Sequence, residues 1–330
     1  MKFSMNNQSI IYVAGHAGLI GSAVVRRLHE AGYHKIATRC RSELDLQDWK
    51  SVSEFFDEAC PDYVVFAAGR VGGILENQAF PADFMDENLS MQFNVLKAAR
   101  RKGLKKLIFF GSSCMYPREC PQPMAEPALL SGRPEPSSLP YAISKLTGVH
   151  LCLAYNQQDD VTRFLPLIPN SAYGPNDNFD AESGHVLAAL MTKLHQAKVS
   201  GAQSVMLWGS GTPRREFIHA DDIADACLHF LAIDQKNIEL PINVGVGSDI
   251  SIKELANLIG EIVGYKGSLE WDRSKPDGCP RKLLNSTRIH ALGWRPTVDL
   301  ADGLASTYQW YLKSLDSTNV AKGQISHQSV

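Results

Sequence analysis

Ser9-Ile-Ile-Tyr-Val-Ala-Gly15-His-Ala-Gly18-Leu-Ile-Gly21 decides the fold. Ser9–Gly15 is an apolar run ending in glycine, the pattern of a buried parallel strand. From Gly18 to Ala31 the apolar residues recur at helical spacing, and Gly32 stops them. Strand, glycine turn and helix in that order bring free N–H groups and the positive end of a helix dipole to one point. Glycines permit a tight turn there and a close backbone approach to a pyrophosphate. The spacing is GxxGxxG rather than GxGxxG, so the flanking strand and helix carry the reading. Gly15, Gly18, Leu19, Ile20 and Gly21 are the candidate dinucleotide contacts.

Outward from that turn the alternation continues. Short apolar runs at His34–Arg39, Asp62–Ala68, Lys105–Gly111 and Thr162–Ile168 read as strands. Gln47–Ala59, Ala82–Lys102 and Leu139–Gln157 read as helices. The alternation predicts an α/β fold, a doubly wound parallel sheet with helices on both faces. Pro117–Pro140 holds seven prolines in 24 residues, an irregular loop directly after the fourth strand. Beyond Pro169 helices are expected at His185–Ala197, Ala220–Ile233, Ser251–Val263 and Leu300–Leu312. Strands are expected at Ser204–Leu207 and Pro241–Gly245. From Asp316 the chain is polar and aperiodic, the pattern of a frayed tail.

Composition bounds the partners. The chain has 330 residues, 44% hydrophobic and 21% charged, with a formal net charge of −2. That is ample for a large core and lacks the basic footprint of a nucleic-acid binder. No apolar run approaches the roughly 20 residues of a membrane span. The seven cysteines are odd in number and form no CxxC, so a reduced, cytoplasmic protein without a metal site is expected.

The second expected strand ends in Ala37-Thr38-Arg39-Cys40-Arg41, where an NAD-binding domain often carries an acid. Arg39 and Arg41 suit a 2′-phosphate, which favours NADP. Asp45 and Leu46 are candidates to cover the adenine. Tyr141-Ala-Ile-Ser-Lys145 places a tyrosine and a lysine on one helix face. A lysine ammonium beside the phenol is expected to lower its pKa and tune it to protonate a carbonyl as hydride arrives. Ser112, 29 residues earlier at the end of the fourth strand, can hydrogen-bond the same carbonyl. Ligands of doubly wound sheets sit beyond those strand ends.

Cys114 follows Ser112 by two residues. In an extended segment both point the same way, which makes the thiol either a base beside a ketone or a packed side chain. His185 opens an expected helix, as a cap or as a general acid.

These residues resemble the extended short-chain dehydrogenase/reductases that act on nucleotide sugars. GSSCMYP (Gly111–Pro117), QPMAE (Gln122–Glu126), YAISK, YGPNDNF (Tyr173–Phe179), WGSGTPRREF (Trp208–Phe217) and SKPDGCPRKLL (Ser274–Leu284) resemble the GDP-L-fucose synthases within that group. The resemblance spans about residues 8–312. It implies a Rossmann-like, NADP-binding domain over 1–170 with 216–249. It also implies a smaller α/β substrate-binding domain over 171–215 with 250–315, leaving a flexible tail at 316–330.

It further implies NADPH-dependent C3/C5 epimerisation and C4 reduction of a GDP-4-keto-6-deoxy sugar. Cys114 would be base, His185 acid, and Ser112, Tyr141 and Lys145 the reducing set. Lys145 and His185 would also touch the cofactor, and Lys193, Trp208, Arg215 and Asp277 the substrate. A homodimer through the helices at 82–102 and 139–157 is implied as well. Ala17 stands where the family commonly has an arginine, so Arg39 and Arg41 carry more of the phosphate recognition. Colitose- or heptose-type GDP-4-keto sugars are the alternative substrates, and a silent dinucleotide sensor the alternative class.

Overall fold

The structure, a computed structural model, describes residues 5–233, 238–275 and 277–326, with backbone alone over 317–326. The chain lays down β1 (Ile11–Ala14), α1 (Leu19–Glu30), β2 (Ile36–Ala37), α2 (Trp49–Ala59) and β3 (Tyr63–Phe66). Next come α3 (Ile74–Ala79), α4 (Pro81–Lys102), β4 (Lys106–Phe110), α5 (Leu139–Asp159) and β5 (Phe164–Pro169). There follow β6 (Ser171–Tyr173), α6 (Val186–Ser200), β7 (Ser204–Trp208), β8 (Arg214–Arg215), β9 (Phe217–His219), α7 (Ala220–Ala232) and β10 (Ile242–Val244). The remainder is β11 (Ile250–Ser251), α8 (Ile252–Val263), β12 (Ser268–Asp272), β13 (Arg281–Lys282), α9 (Thr287–Ala291) and α10 (Leu300–Ser326).

Six strands form one parallel sheet in the order β10-β5-β4-β3-β1-β2. The order reverses between β1 and β3, so a crevice opens beyond the carboxyl ends of those two strands. Strands β1, β3, β4 and β5 are buried along their whole length, which is why they read as continuous apolar runs. On one face, Phe55, Phe56, Val95, Leu96 and Phe109 form a cluster with α2, α4 and α5. On the other, Val24, Leu28, Ile223 and Phe230 form a second with α1 and α7. A third cluster lies apart from the sheet. It joins Leu190 and Leu194 of α6, Leu207 of β7, Leu255 and Ile259 of α8, and Tyr308 and Tyr311 of α10.

Helix starts follow local chemistry. Asp48 caps α2 by accepting from Lys50 N and Ser51 N, so the helix begins at Trp49 rather than Gln47. Ser251 and Glu254 form a reciprocal capping box on α8. The last helix differs from expectation: α10 runs on to Ser326, well past Leu312. No proline interrupts residues 313–326, so a polar composition alone did not end it. The part of the expected tail at 327–330 lies outside the described residues.

The proline loop after β4 is pinned down. The amide of Met124 donates to Leu283 O at 2.7 Å, and Asn285 N donates to Met124 O at 2.8 Å. Buried Asn243 of β10 accepts from Tyr116 OH at 2.6 Å and donates to Met124 O at 3.0 Å. Its backbone N–H donates to Glu126 Oε1 at 3.0 Å. The loop is thus held between β10 and the chain leading out of β13.

Candidate active site

The glycine turn closes against the loop that follows β3. Gly15 has φ +79°, and a Cβ there would lie 2.7 Å from Ala68 N. A Cβ on Gly21 would lie 2.0 Å from Gly15 O. Gly18 stands at the N-cap of α1, and no side chain caps that helix. The first-turn amides of Leu19, Ile20 and Gly21 therefore face the crevice without a side-chain acceptor. Buried His16 Nδ1 beside them also lacks a partner.

At the end of β2, the Arg39 guanidinium lies over the Phe55 ring at 5.3 Å and donates to Thr38 O. Arg41 is exposed, 4.0 Å from Glu87. Glu43 shares this corner, its carboxylate accepting from Cys40 N at 2.8 Å. The Leu46 side chain packs against the first core cluster and keeps a small exposed edge beside Asp45. Asp45 is exposed and accepts from Gln47 N at 2.9 Å.

Ser112, Cys114, Tyr141, Lys145 and His185 meet beyond β4. The segment holding the serine and cysteine is not extended as expected. Ser113–Met115 is a 3-10 turn, and Cys114 N donates to Ser112 Oγ at 3.2 Å. The turn still leaves the Ser112 hydroxyl facing both the Cys114 thiol and the Tyr141 phenol.

The expected effect of Lys145 on Tyr141 is also corrected. Lys145 Nζ donates to Phe110 O at 3.0 Å and lies 5.9 Å from the centroid of the Tyr141 ring, over its face. Burial lowers the pKa of Lys145 to about 8. Burial likewise pushes the Tyr141 phenol well above its ordinary value. A charge on Cys114 adds to this, and Ser112 opposes it. Desolvation is the largest influence on the phenol.

His185 is the N-cap residue of α6. Its Nδ1 lies 3.4 Å from Asp177 Oδ1, and that carboxylate raises the imidazole above its ordinary pKa against the effect of burial. Cys114 and Glu76 add to the rise, so thiol and imidazole lie within electrostatic reach of each other. Asp177 is buried, and its Oδ2 has no partner.

The expected substrate contacts fall in two groups, Lys193 with Trp208 and Arg215 with Asp277, and Arg215 lies within electrostatic reach of Cys114. Lys193 Nζ and Lys275 Nζ lie 4.9 and 5.3 Å from the Trp208 ring. Burial lowers the pKa of Arg215, while Cys114, Cys279, Glu135 and Asp277 pull it up. Asp277 is already engaged: its carboxylate accepts from Ser210 N and Ser210 Oγ, both at 2.7 Å.

Sequence reasoning missed Asp177 and Lys282, although both lie in quoted phrases, YGPNDNF and SKPDGCPRKLL. Nothing in their spacing set them apart from solvated charges. It also missed Glu216, fully buried, which accepts from Gly247 N, Leu284 N and Asn170 Nδ2 beside the cleft. Among the described residues there is no cluster of three metal-ligating side chains. No described helix is long and apolar enough to cross a membrane.

Residues 11–245 match the NAD dependent epimerase/dehydratase family. The chain is 49% identical over 313 residues to GDP-L-fucose synthase 1 of Arabidopsis thaliana, covering 94% of this chain and 96% of that one. It is 45% identical over 313 residues to GDP-L-fucose synthase of Escherichia coli K12, covering 93% and 97%. Its fold superposes with a TM-score of 0.85 on a GDP-mannoheptose C4 reductase from Campylobacter jejuni solved with NADP bound. That protein is 37% identical, with 93% of this chain and 99% of that one covered. The chain belongs to the NAD dependent epimerase/dehydratase family and, within it, to the family of the GDP-L-fucose synthases.

Proposed function

We propose that this chain converts GDP-4-keto-6-deoxy-D-mannose to GDP-L-fucose, epimerising C3 and C5 and then reducing the C4 ketone with NADPH. One observation carries the reading. Two acid–base sets, Cys114 with His185 and Ser112 with Tyr141 and Lys145, meet at one cleft end. Membership of the GDP-L-fucose synthase family supports the substrate.

C3–H and C5–H both flank the C4 ketone, so removing either proton leaves an enolate on O4. The Cys114 thiolate takes the proton and becomes a thiol. Ser112 and Tyr141 hydroxyls donate to the enolate oxygen. His185, kept charged by Asp177, gives a proton to the opposite face of the carbon and becomes neutral. Passage of the thiol proton to the imidazole through solvent resets both groups. NADPH, when bound, supplies the hydride for C4. Tyr141 gives its proton to O4, and its raised pKa keeps that proton in place until then. The Lys145 ammonium favours the tyrosinate left behind.

The uncapped cradle of Gly15, Gly18, Leu19, Ile20 and Gly21, whose backbone a Cβ at Gly15 or Gly21 would strike, fits a pyrophosphate. Arg39 and Arg41 take the 2′-phosphate, Asp45 and Leu46 edge the adenine, and Lys145 and His185 border the nicotinamide. Lys193 and Arg215 take the substrate diphosphate, and Trp208 packs against it. Asp277 shapes the Ser210 turn beside it. The sheet domain comprises 1–170 with 216–249, and the substrate domain 171–215 with 250–315. The separate third core cluster supports that division. A homodimer through α4 and α5, in the cytoplasm, completes the reading, and all seven cysteines are free thiols.

The test is one reaction in D2O with NADPH and freshly made GDP-4-keto-6-deoxy-D-mannose, the product read by NMR. Deuterium at both C3 and C5 in an L-galacto product is expected. Reduction without exchange removes Cys114 and His185 from their roles. A chain that turns over only a heptose analogue moves the reading to that sugar, the alternative favoured by the Campylobacter neighbour.

A further inference from the structure

Lys282 donates from Nζ to Cys114 Sγ at 3.4 Å. The two residues are 168 positions apart, and the lysine is held from several sides. Its strand β13 pairs in parallel with β8, Lys282 opposite Arg215. Its carbonyl accepts from Glu216 N at 3.2 Å and Asn170 Nδ2 at 3.3 Å. Next to it, Leu283 N donates to Gln122 Oε1 at 2.9 Å, which ties the lysine to the proline loop. Asp249 pairs with both Arg214 and Arg281 and clamps β8, β11 and β13 together. Among the described residues Lys282 pairs with no carboxylate, and the sulfur is its side-chain partner.

We propose that Lys282 is a positioning residue for the proton exchange, one that holds the Cys114 sulfur in place as a thiolate. The inference rests on the reading of Cys114 as the base. Two other thiols of the same chain show what burial does without such a cation. Cys152 and Cys227, both buried, are pushed far above the ordinary thiol value. At Cys114 burial pushes the same way. Burial is the largest single influence, but Lys282 and the hydrogen bonds to Ser112 and Ser138 together outweigh it, and the thiol stays below its ordinary value. Tyr141, His185 and Arg215 also face the sulfur electrostatically. Of the cations, the lysine is the one in hydrogen-bond contact. It keeps its own protons throughout. The thiol loses its proton to solvent, the sulfur takes the substrate proton, and the ammonium favours each renewed ionisation. The base comes from the sheet and its counter-charge from the segment after Asp277, so the base is complete only when both parts of the chain are in place.

The test needs no substrate. Alkylation of Cys114 by iodoacetamide is followed from pH 5 to 10 by peptide mass spectrometry, which separates it from exposed Cys40 and Cys60. In the native protein the midpoint is expected below the ordinary thiol value of about 8.5. In Lys282→Met it is expected at least about one pH unit higher, and in Lys282→Arg within a few tenths of native. Coincident midpoints in all three proteins overturn the proposal. Should Lys282→Met fail to fold, Lys282→Gln carries the same comparison.

With substrate in D2O, Lys282→Met is expected to lose exchange at least about tenfold at pH 7 and to recover part of it at pH 9, where the thiol ionises unaided. A loss equal at both pH values marks a merely structural role and overturns the proposal. If native protein exchanges no keto sugar while the alkylation midpoints move, the lysine–thiolate pairing stands and the functional reading falls.

Discussion

At pH 7 Lys145 holds its charge inside the molecule, with the Phe110 carbonyl as hydrogen-bond partner. An unfolded lysine titrates near 10.5 and this one near 8. The unfolded chain therefore binds the extra proton between those values, and stability falls as pH drops from 10.5 to 8. Below 8 the whole penalty, about 3 kcal/mol, is present. Lys145→Met removes it and leaves the Phe110 carbonyl unpaired, a loss of about 1 kcal/mol. The variant is expected to melt a few degrees higher at pH 7, with the gain gone above pH 10.5, and to lose hydride transfer at least about 100-fold. An unchanged or lower melting temperature at pH 7 counts against a strained lysine. His185 shows the opposite sign. Its raised pKa keeps the imidazolium, the form that donates, to higher pH. Asp177→Asn removes the carboxylate, so the alkaline limb of the exchange profile should move to lower pH and the plateau fall about tenfold. A limb that stays in place excludes Asp177 as the partner of the acid.

Among the elements, the turn from β1 into α1 leaves no room for a side chain at Gly21. A Cβ on Gly21 meets the Gly15 carbonyl at 2.0 Å, backbone on backbone, so the turn must open. A Cβ on Gly18 lies 3.6 Å from the same oxygen, ordinary contact, on a residue with φ −82°. Gly21→Ala is thus expected to weaken NADPH binding at least about 100-fold by fluorescence titration. Gly18→Ala should cost about 0.5–1 kcal/mol in helix capping and leave NADPH affinity near native. Equal affinities for the two variants would sink the assignment of this turn as the cofactor cradle. The same element explains what was legible in advance. Buried parallel strands and long helices write their period over many consecutive residues, so the sheet strands and α1, α2, α4 and α5 lie within a few residues of expectation. Strands β6, β8, β9, β11 and β13 span two or three residues each. They exist through partners far away in sequence, which no local period reports. The site divides likewise. Ser112, Cys114, Tyr141 and Lys145 stand at strand ends and helix spacings that mark them. Lys282 and Asp177 act through residues more than 150 positions and eight positions away, respectively. Their letters alone read as surface charge.

Across the whole molecule the sheet buries two faces, and the helices covering one of them leave apolar surface uncovered. Helices α4 and α5 pack side by side over that face. Between them and the proline loop runs a groove of about 480 Å³, lined by Phe93, Leu130, Ile143, Leu146 and Leu151 with His150. Phe93 is 44% exposed and Leu130 63%. Apolar surface of this kind, contiguous and on regular elements, is what an association surface offers. In the proposed homodimer a two-fold axis through it would set α4 and α5 against the same pair of a second copy, a four-helix contact in which each groove faces its equivalent. The proposed catalytic groups lie at the strand ends and the first turns of α5, away from Phe93 and His150, so such a contact would leave them open. At micromolar concentration the native chain is expected to elute at twice the one-chain mass by size exclusion with light scattering. Phe93→Asp puts a charge at the centre of the contact and is expected to give the one-chain mass with an unchanged far-ultraviolet spectrum. A native chain that elutes at the one-chain mass removes the dimer. A Phe93→Asp variant that still elutes at twice that mass moves the contact to another face.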